Sequence, residues 1–340
     1  MCSSDLAWEG ILGAATGCYT THATVKVDRP VYNCMPFSSA YGAYLASVAI
    51  ALALNARARS GQGQFIEVPL FAATFTAFSG KAMRVIGEAE KEPLTSWRYA
   101  KCKDGRWFIY VPRDTHATFF KELGLPPKPN EQYSEADMLA RIDAMFASRT
   151  SEEWDDWCAE QGVEGGVCRT SAEWMEHPLA LRSEIIREFD DPELGRFKGP
   201  GLHTRLSATP GSIRAPRPRP DQHRAEILAA LKQPRPLAPL GNELLRSALQ
   251  GVRVLGLGII LAIPSAGRTL SEYGADVIKI DSPHRNPVSW HNDINRGKRS
   301  LALDLKAPEG KEIFWKLLEG ADVVIENFRS GVADKLGIGY

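Results

Sequence analysis

The chain has 340 residues, 44% hydrophobic and 24% charged, the make-up of a globular protein of about two or three domains rather than a disordered chain. Lysine plus arginine (41) equals aspartate plus glutamate (41), so no basic field is available to hold a duplex and no nucleic-acid partner is expected. Six cysteines with no CxxC pair argue against a zinc ribbon and a disulfide framework. The longest apolar run, residues 45–54, is about half of what a membrane span needs, and no secretory signal opens the chain. A cytoplasmic protein with no membrane partner is the expectation.

Residues 1–6 (MCSSDL) fit nothing downstream and are set aside as a non-native scar. Residues 40–59 (AYGAYLASVAIALALNARAR) predict a helix that Gly61 can end in the left-handed conformation; it is apolar on nearly all sides until Asn55, so it is expected to be buried. Residues 65–70 (FIEVPL) predict a short strand, followed by a helix to about Ile86. Residues 99–111 predict a hairpin around Asp104-Gly105. From Thr115 to Phe189 the pattern is helical and amphipathic, with Ser134 opening one helix and Thr150-Ser151-Glu152-Glu153 another in capping-box form. Residues 198–239 turn proline- and glycine-rich and predict an extended surface connection broken by one helix at 222–231.

After Gln250 the texture changes. Strand-like runs at 252–257, 275–281, 300–304 and 321–326 alternate with helical stretches at 264–273 and 308–319, the second led by Pro308. This alternation predicts a parallel α/β sheet.

Several chemistries fail on spacing. Val254-Leu255-Gly256-Leu257-Gly258 ends a strand before a helix, but the third glycine place of a dinucleotide fingerprint is Leu261, so Asp281 reads as a polar strand end. No GxSxG elbow occurs, and the seven histidines show no metal-ligand spacing, so no metal is expected. Arg296, Lys298 and Arg299, with Asn295 and Gly297 among them, form either a solvated loop or an anion cradle.

Three ordered strings carry a resemblance. Residues 251–281 (GVRVLGLGIILAIPSAGRTLSEYGADVIKID), 295–306 (NRGKRSLALDLK) and 321–328 (ADVVIENF) resemble the opening blocks of the class III CoA-transferases, the CaiB/BaiF family of carnitine and formyl-CoA transferases. Residues 60–70 (SGQGQFIEVPL), 168–178 (CRTSAEWMEHP), Pro210 and Gln222-His223 resemble the later blocks of the same family. The chain thus looks like parts of two tandem copies joined tail to head.

The resemblance implies a fold and a division of the chain. The fold is α/β, a Rossmann-like parallel sheet with a smaller α+β domain, in interlocked dimers that a tandem fusion would make intramolecular. Residues 7–95 would be the back of the first large domain, 96–197 the small domain, 198–250 a return linker and 251–340 the front of the second copy. The implied substrates are an acyl-CoA and a carboxylic acid, with coenzyme A as substrate rather than a covalently held cofactor.

In the family an aspartate attacks the thioester through a mixed anhydride. Its place here is Ser39, which has no carboxylate, so this stretch is expected to lack the nucleophile. Glu9 takes the place of a second active-site acid; it either lines a pocket or caps a helix. The racemase branch needs a histidine where Trp8 stands. The CoA-binding places fall on Ala262, Lys298, Arg299, Asn327, Phe328 and Lys335. Three functions stay open: a CoA-transferase, a non-catalytic CoA-binding or scaffolding half of one, or a racemase or transferase/lyase of the same family.

Overall fold

The structure is a computed structural model that describes residues 8–20, 29–78, 86–87, 98–110, 116–126, 132–215, 217–232, 239–284 and 291–340. These fall into two compact units, one drawn from residues 1–93 and 237–340 and the other from 94–236.

The first unit opens with α1 (Glu9–Ala15), α2 (Phe37–Ser60) and α3 (Leu70–Thr76). The helix α2 packs against α1 and α3 along one stripe, where Ser38, Gly42, Leu52 and Ala56 are buried. The remainder faces outward: Tyr44, Ile50 and Leu54 are each more than half exposed. The expectation of a buried helix is therefore corrected, because an apolar helix is buried only where other elements cover it, and here they cover one face. With 24 residues α2 also has the length and composition of a membrane span, which the uninterrupted apolar run alone understates. The strand predicted at 65–70 is absent: residues 62–69 belong to no helix or strand, and Leu70 already starts α3. Most of the predicted extension of that helix, residues 79–85, lies outside the described residues.

The second unit begins with the predicted hairpin, β1 (Arg98–Lys101) and β2 (Trp107–Tyr110), paired from Arg98↔Tyr110 to Lys101↔Trp107. Then come α4 (His116–Glu122), α5 (Glu135–Phe146), α6 (Ser151–Gln161) and β3 (Gly165–Val167), the last completing an antiparallel sheet in the order β1-β2-β3. Both predicted helix starts form. The Ser134 hydroxyl accepts from Asp137 N, and Thr150 and Glu153 make a full capping box. Phe108, Phe146 and Trp154 are fully buried with ring centroids 5.0–5.3 Å apart, and Trp154 Nε1 donates to Phe146 O at 3.1 Å.

After α7 (Ser171–Glu176) and α8 (Pro178–Arg182) comes a ribbon that the helical reading of this region missed: β4 (Ile186–Asp191) and β5 (Gly195–Pro200). The Asp191 carboxylate accepts from Glu193 N and Leu194 N at 2.9 Å and closes the turn. α9 (Arg224–Ala230) lies within the predicted helix of the linker.

The chain then returns to the first unit with β6 (Arg253–Gly256), α10 (Ala262–Glu272), β7 (Asp276–Asp281), α11 (His291–Ile294), β8 (Arg299–Ala302), α12 (Pro308–Leu318), β9 (Val323–Ile325) and α13 (Val332–Leu336). All four strands are parallel in the order β8-β7-β6-β9, as the alternating pattern predicts. Leu255, Leu257, Ile278, Ile280, Leu303 and Phe314 form the core between this sheet and α12.

The two stretches of the first unit are joined at the C-terminal end of α2. Leu52 packs with Leu249, Val254, Ala275 and Val277. The last carbonyls of α2 accept from the later stretch, Ala58 O from Gly241 N at 2.8 Å and Arg59 O from Glu243 N at 3.0 Å, which satisfies groups a helix end otherwise leaves open. The Arg59 guanidinium reaches Glu243 at 2.7 Å and Gln250 O at 2.9 Å, and Asn55 Nδ2 donates to Ala248 O at 3.0 Å. Gly61, left-handed at φ 76°, lets this strap approach: a Cβ there would lie 2.9 Å from Gly241 O.

Candidate functional site

The N-terminal end of α2 is where Glu9 and Ser39 meet, thirty positions apart in sequence. α2 follows Pro36 and has no side-chain cap of its own. The Glu9 carboxylate supplies one from α1: Oε1 accepts from Ser38 N at 2.7 Å, and Oε2 accepts from Ser39 N at 2.9 Å and Ser39 Oγ at 2.7 Å. Of the two readings of Glu9, the structure has it capping a helix. Burial pushes its pKa up, but the Ser39 hydroxyl and the Ser38 and Ser39 amides together outweigh burial and hold it below the ordinary value. With both oxygens engaged, this carboxylate is a weak base and a poor nucleophile. Ser39 donates its only hydroxyl proton to it and presents no carboxylate.

The second cluster lies at the C-terminal edge of the parallel sheet. The first strand, β6, connects to β7 on one side while β9 pairs on the other, so the chain switches direction between β6 and β9, the place where ligands of open α/β sheets sit. The Asn327 carboxamide spans this crevice: Oδ1 accepts from Ile259 N at 2.9 Å and Nδ2 donates to Ile259 O at 3.0 Å. The clamped loop holds Ile260 at φ 67°, a strained value for a β-branched residue, immediately before Leu261 and Ala262 open α10. Gly258 is required there, because a Cβ would lie 2.1 Å from Ile263 Cγ2. Phe328 packs on the sheet core beside Asn327. Lys335 is exposed on α13, to which the same strand end leads. The structure thus gathers Ala262, Asn327 and Phe328 at one edge.

Lys298 and Arg299 start from the other end of the sheet. Lys298 precedes β8 and Arg299 opens it, so the backbone of the basic loop sits at the N-terminal edge, while the Lys298 side chain runs inward to the first turn of α10. Arg299 meets Asp276 through two hydrogen bonds of 2.8 and 2.6 Å, and Arg253 Nε joins the same carboxylate at 2.9 Å. The Asp276 pKa is held down, first by the Arg299 hydrogen bond. Arg296 reaches Glu272 at 2.8 Å and Asp293 at 3.2 Å. Lys298 points inward and donates to Pro264 O (2.6 Å), Ile294 O (2.9 Å) and Asn295 Oδ1 (2.9 Å), which uses all three ammonium protons. Burial, then the charges of Lys279 and Arg268, lower its pKa to about 8. A cavity of about 10 Å³, the room of one water, separates Lys298 from Gly256 and Val277.

One pair at the C-terminal edge escaped the sequence reading. His284 follows β7 and its Nε2 lies 3.1 Å from Asp304 Oδ2, just past β8. The Asp304 pKa is lowered, first by the Lys306 amide and then by His284. The signal the sequence carries for it is its place at a strand end, where ligands of open α/β sheets gather; His284 itself has no metal-ligand spacing. Among the described residues there is no cluster of histidine, cysteine and carboxylate groups that could hold a metal.

A sequence model described as CoA-transferase family III matches residues 3–224 and 249–340, and the chain belongs to that family. The CoA-transferase/lyase DddD of Marinomonas sp. (strain MWYL1) is 24% identical over 410 aligned residues, covering 98% of this chain and 49% of that protein. The succinyl-CoA:mesaconate CoA-transferase of Haloarcula hispanica is 40% identical over 109 residues, 27% of this chain and 28% of that enzyme. A solved CaiB/BaiF family protein from Brucella suis superposes with a TM-score of 0.52 at 21% identity, covering 66% of this chain and 62% of that one, a likeness of fold. The chain therefore spans about half the length of the first of these relatives and under a third of the second.

Proposed function

We propose that the protein containing this chain moves coenzyme A between an acyl-CoA and a free carboxylic acid, and that this chain carries the back of one transferase copy and the front of a second. The observation that carries the reading is the family match in two blocks, 3–224 and 249–340. The joint at α2 supports the arrangement: the segment after the linker caps the long helix of the segment before it, so one compact unit is assembled across the copy boundary. The boundaries at 95, 197 and 250 belong to this proposal, as does a paired arrangement of the copies within one cytoplasmic chain.

In this reading Ala262, Asn327, Phe328 and Lys335 face coenzyme A, while Lys298 and Arg299 fasten the sheet. The place of the nucleophile is Ser39, and Glu9 is committed to the cap of α2, so this stretch binds and supports rather than exchanges. A mixed anhydride needs a carboxylate oxygen on the acyl carbon, and an alcohol gives an ester instead. The transferase/lyase branch is favoured as the parent, since DddD covers 98% of the chain. Racemase chemistry has no base at Trp8 or Ser39.

The test incubates the purified chain with acyl-CoAs and carboxylic acids, follows exchange by chromatography and traps intermediates with hydroxylamine. No exchange and no adduct are expected from the wild type, and Ser39→Asp is expected to form a hydroxylamine-sensitive adduct. Exchange by the wild type, or an acyl or CoA adduct on Glu9, overturns the reading.

A further inference from the structure

We infer that Lys298 is a positioning residue for the crevice between β6 and β9: its ammonium holds the first turn of α10, and through it the clamped loop, in the geometry that receives the ligand. This rests on the reading of that crevice as the coenzyme A site.

The start of α10 has to be held from outside. Its N-cap is Leu261, which offers no side-chain acceptor, and the residue before that is the strained Ile260. The support comes from beneath. The Lys298 side chain runs along Gly267, where a Cβ would lie 3.2 Å from its Nζ, and donates to Pro264 O in the first turn at 2.6 Å. Its other two protons go to Ile294 O and Asn295 Oδ1, both at 2.9 Å, so one ammonium ties the helix start to the turn before β8. From Pro264 the contacts continue to the crevice. The neighbouring Ile263 packs against Gly258, where a Cβ would lie 2.1 Å from Ile263 Cγ2, and the next residue, Ile259, is the one that Asn327 clamps. The cavity among Gly256, Gly258, Ile263, Gly267, Lys298 and Ile325 has a volume of about 10 Å³. That is room for one water, so a displacement of the first turn is passed to the loop rather than absorbed.

The three acceptors match the three protons of an ammonium. A neutral Lys298 has two, and its lone pair would face an oxygen, so the helix start loses a tie when the proton leaves. The charged groups that act on it are Lys279 and Asp281 of β7 and Arg268 of α10. Nearby, Asp293 of α11 is engaged by Arg268 at 2.8 Å and by Arg296 at 3.2 Å, and Glu272 of α10 by Arg296 at 2.8 Å. Burial, then the two cations, bring the loss of the proton down to about pH 8. The full grip on α10 is therefore present below that value and is lost as pH rises through it. Ligand affinity should follow the same course, because the crevice is complete only while the first turn is held.

The test is a calorimetric titration of acetyl-CoA, whose thiol is blocked, into the full chain from about pH 7 to about pH 9.5. Binding by the wild type is expected to weaken about 10-fold over this range, with a midpoint at about pH 8. Lys298→Met is expected to bind about 10-fold more weakly than the wild type at the low end and to show no dependence on pH. Asn295→Asp turns one acceptor into a carboxylate of the same shape; it should keep the wild-type affinity at the low end and move the midpoint up by about one unit or more. That shift is read whether or not Lys298→Met folds. Binding by the wild type that does not change with pH, a midpoint unmoved by Asn295→Asp, or wild-type affinity in Lys298→Met overturns the inference and leaves the coenzyme A reading standing. No binding by the wild type at any pH overturns that reading, and the inference with it.

Discussion

The two edges of the parallel sheet differ in what they leave available. Among the described residues at the N-terminal edge Arg253 and Arg299 share Asp276, Arg296 joins Glu272 and Asp293, and Lys298 fills three oxygen acceptors beneath α10. At the C-terminal edge Lys279 pairs with Asp281 and His284 with Asp304, and the crevice between β6 and β9 is shaped by a carboxamide clamp and a strained loop. An anion arriving at the first edge would have to displace existing ion pairs, whereas the second edge presents a preformed surface. Charge density along a sequence is thus no measure of charge on offer.

Four measurements break or sharpen that contrast. The largest effect belongs to the clamp. Asn327→Ala removes two hydrogen bonds that hold Ile260 in the left-handed region, and it should cost about 1–3 kcal/mol in urea unfolding. A change below about 0.5 kcal/mol would mean that the C-terminal edge is not preorganised in this way. Next is the cap. Glu9→Ala should cost about 0.5–2 kcal/mol, with Glu9→Gln recovering part of it. Because the folded pKa of Glu9 is lowered, its contribution is complete above the ordinary carboxylate value of 4.5 and is lost as pH falls through the lowered folded value. The Ala variant should therefore have a shallower acid limb than the wild type.

Third is Lys298. Its folded pKa of about 8 lies below the unfolded 10.5, so between those values the unfolded chain holds more protons and stability should rise with pH. Lys298→Met should remove that rise; an identical slope in the variant would contradict a buried, strained ammonium. Smallest is Arg299→Ala. Arg299 is 63% exposed beside a carboxylate already shared with Arg253, so the loss should stay under about 1 kcal/mol.

Much of the fold was legible in the sequence, and for identifiable reasons. The parallel sheet was written in short apolar strands separated by helices, and the caps at Ser134 and Thr150 in local chemistry that tertiary context did not override. The ribbon at β4 and β5 was missed because a helix-like composition preceded an Asp-Pro turn whose meaning lies in Asp191 bonding its own backbone. The burial of α2 was misjudged because an all-round apolar helix states what it can be buried in, not what covers it. For the site, the pairing of Glu9 with Ser39 followed from family spacing, but that the acid caps α2 depends on a contact across thirty residues. The inward turn of Lys298 had no sequence signal, since an adjacent lysine and arginine look alike until their partners are seen.

The most direct test of this account is a calorimetric titration of coenzyme A into the wild type, Asn327→Ala and the double variant Arg296→Ala with Arg299→Ala. The account predicts binding by the wild type, at least 10-fold weaker binding by Asn327→Ala, and an affinity within twofold of wild type for the double variant. Loss of binding in the arginine variant with Asn327→Ala unaffected would place coenzyme A at the basic loop and contradict it.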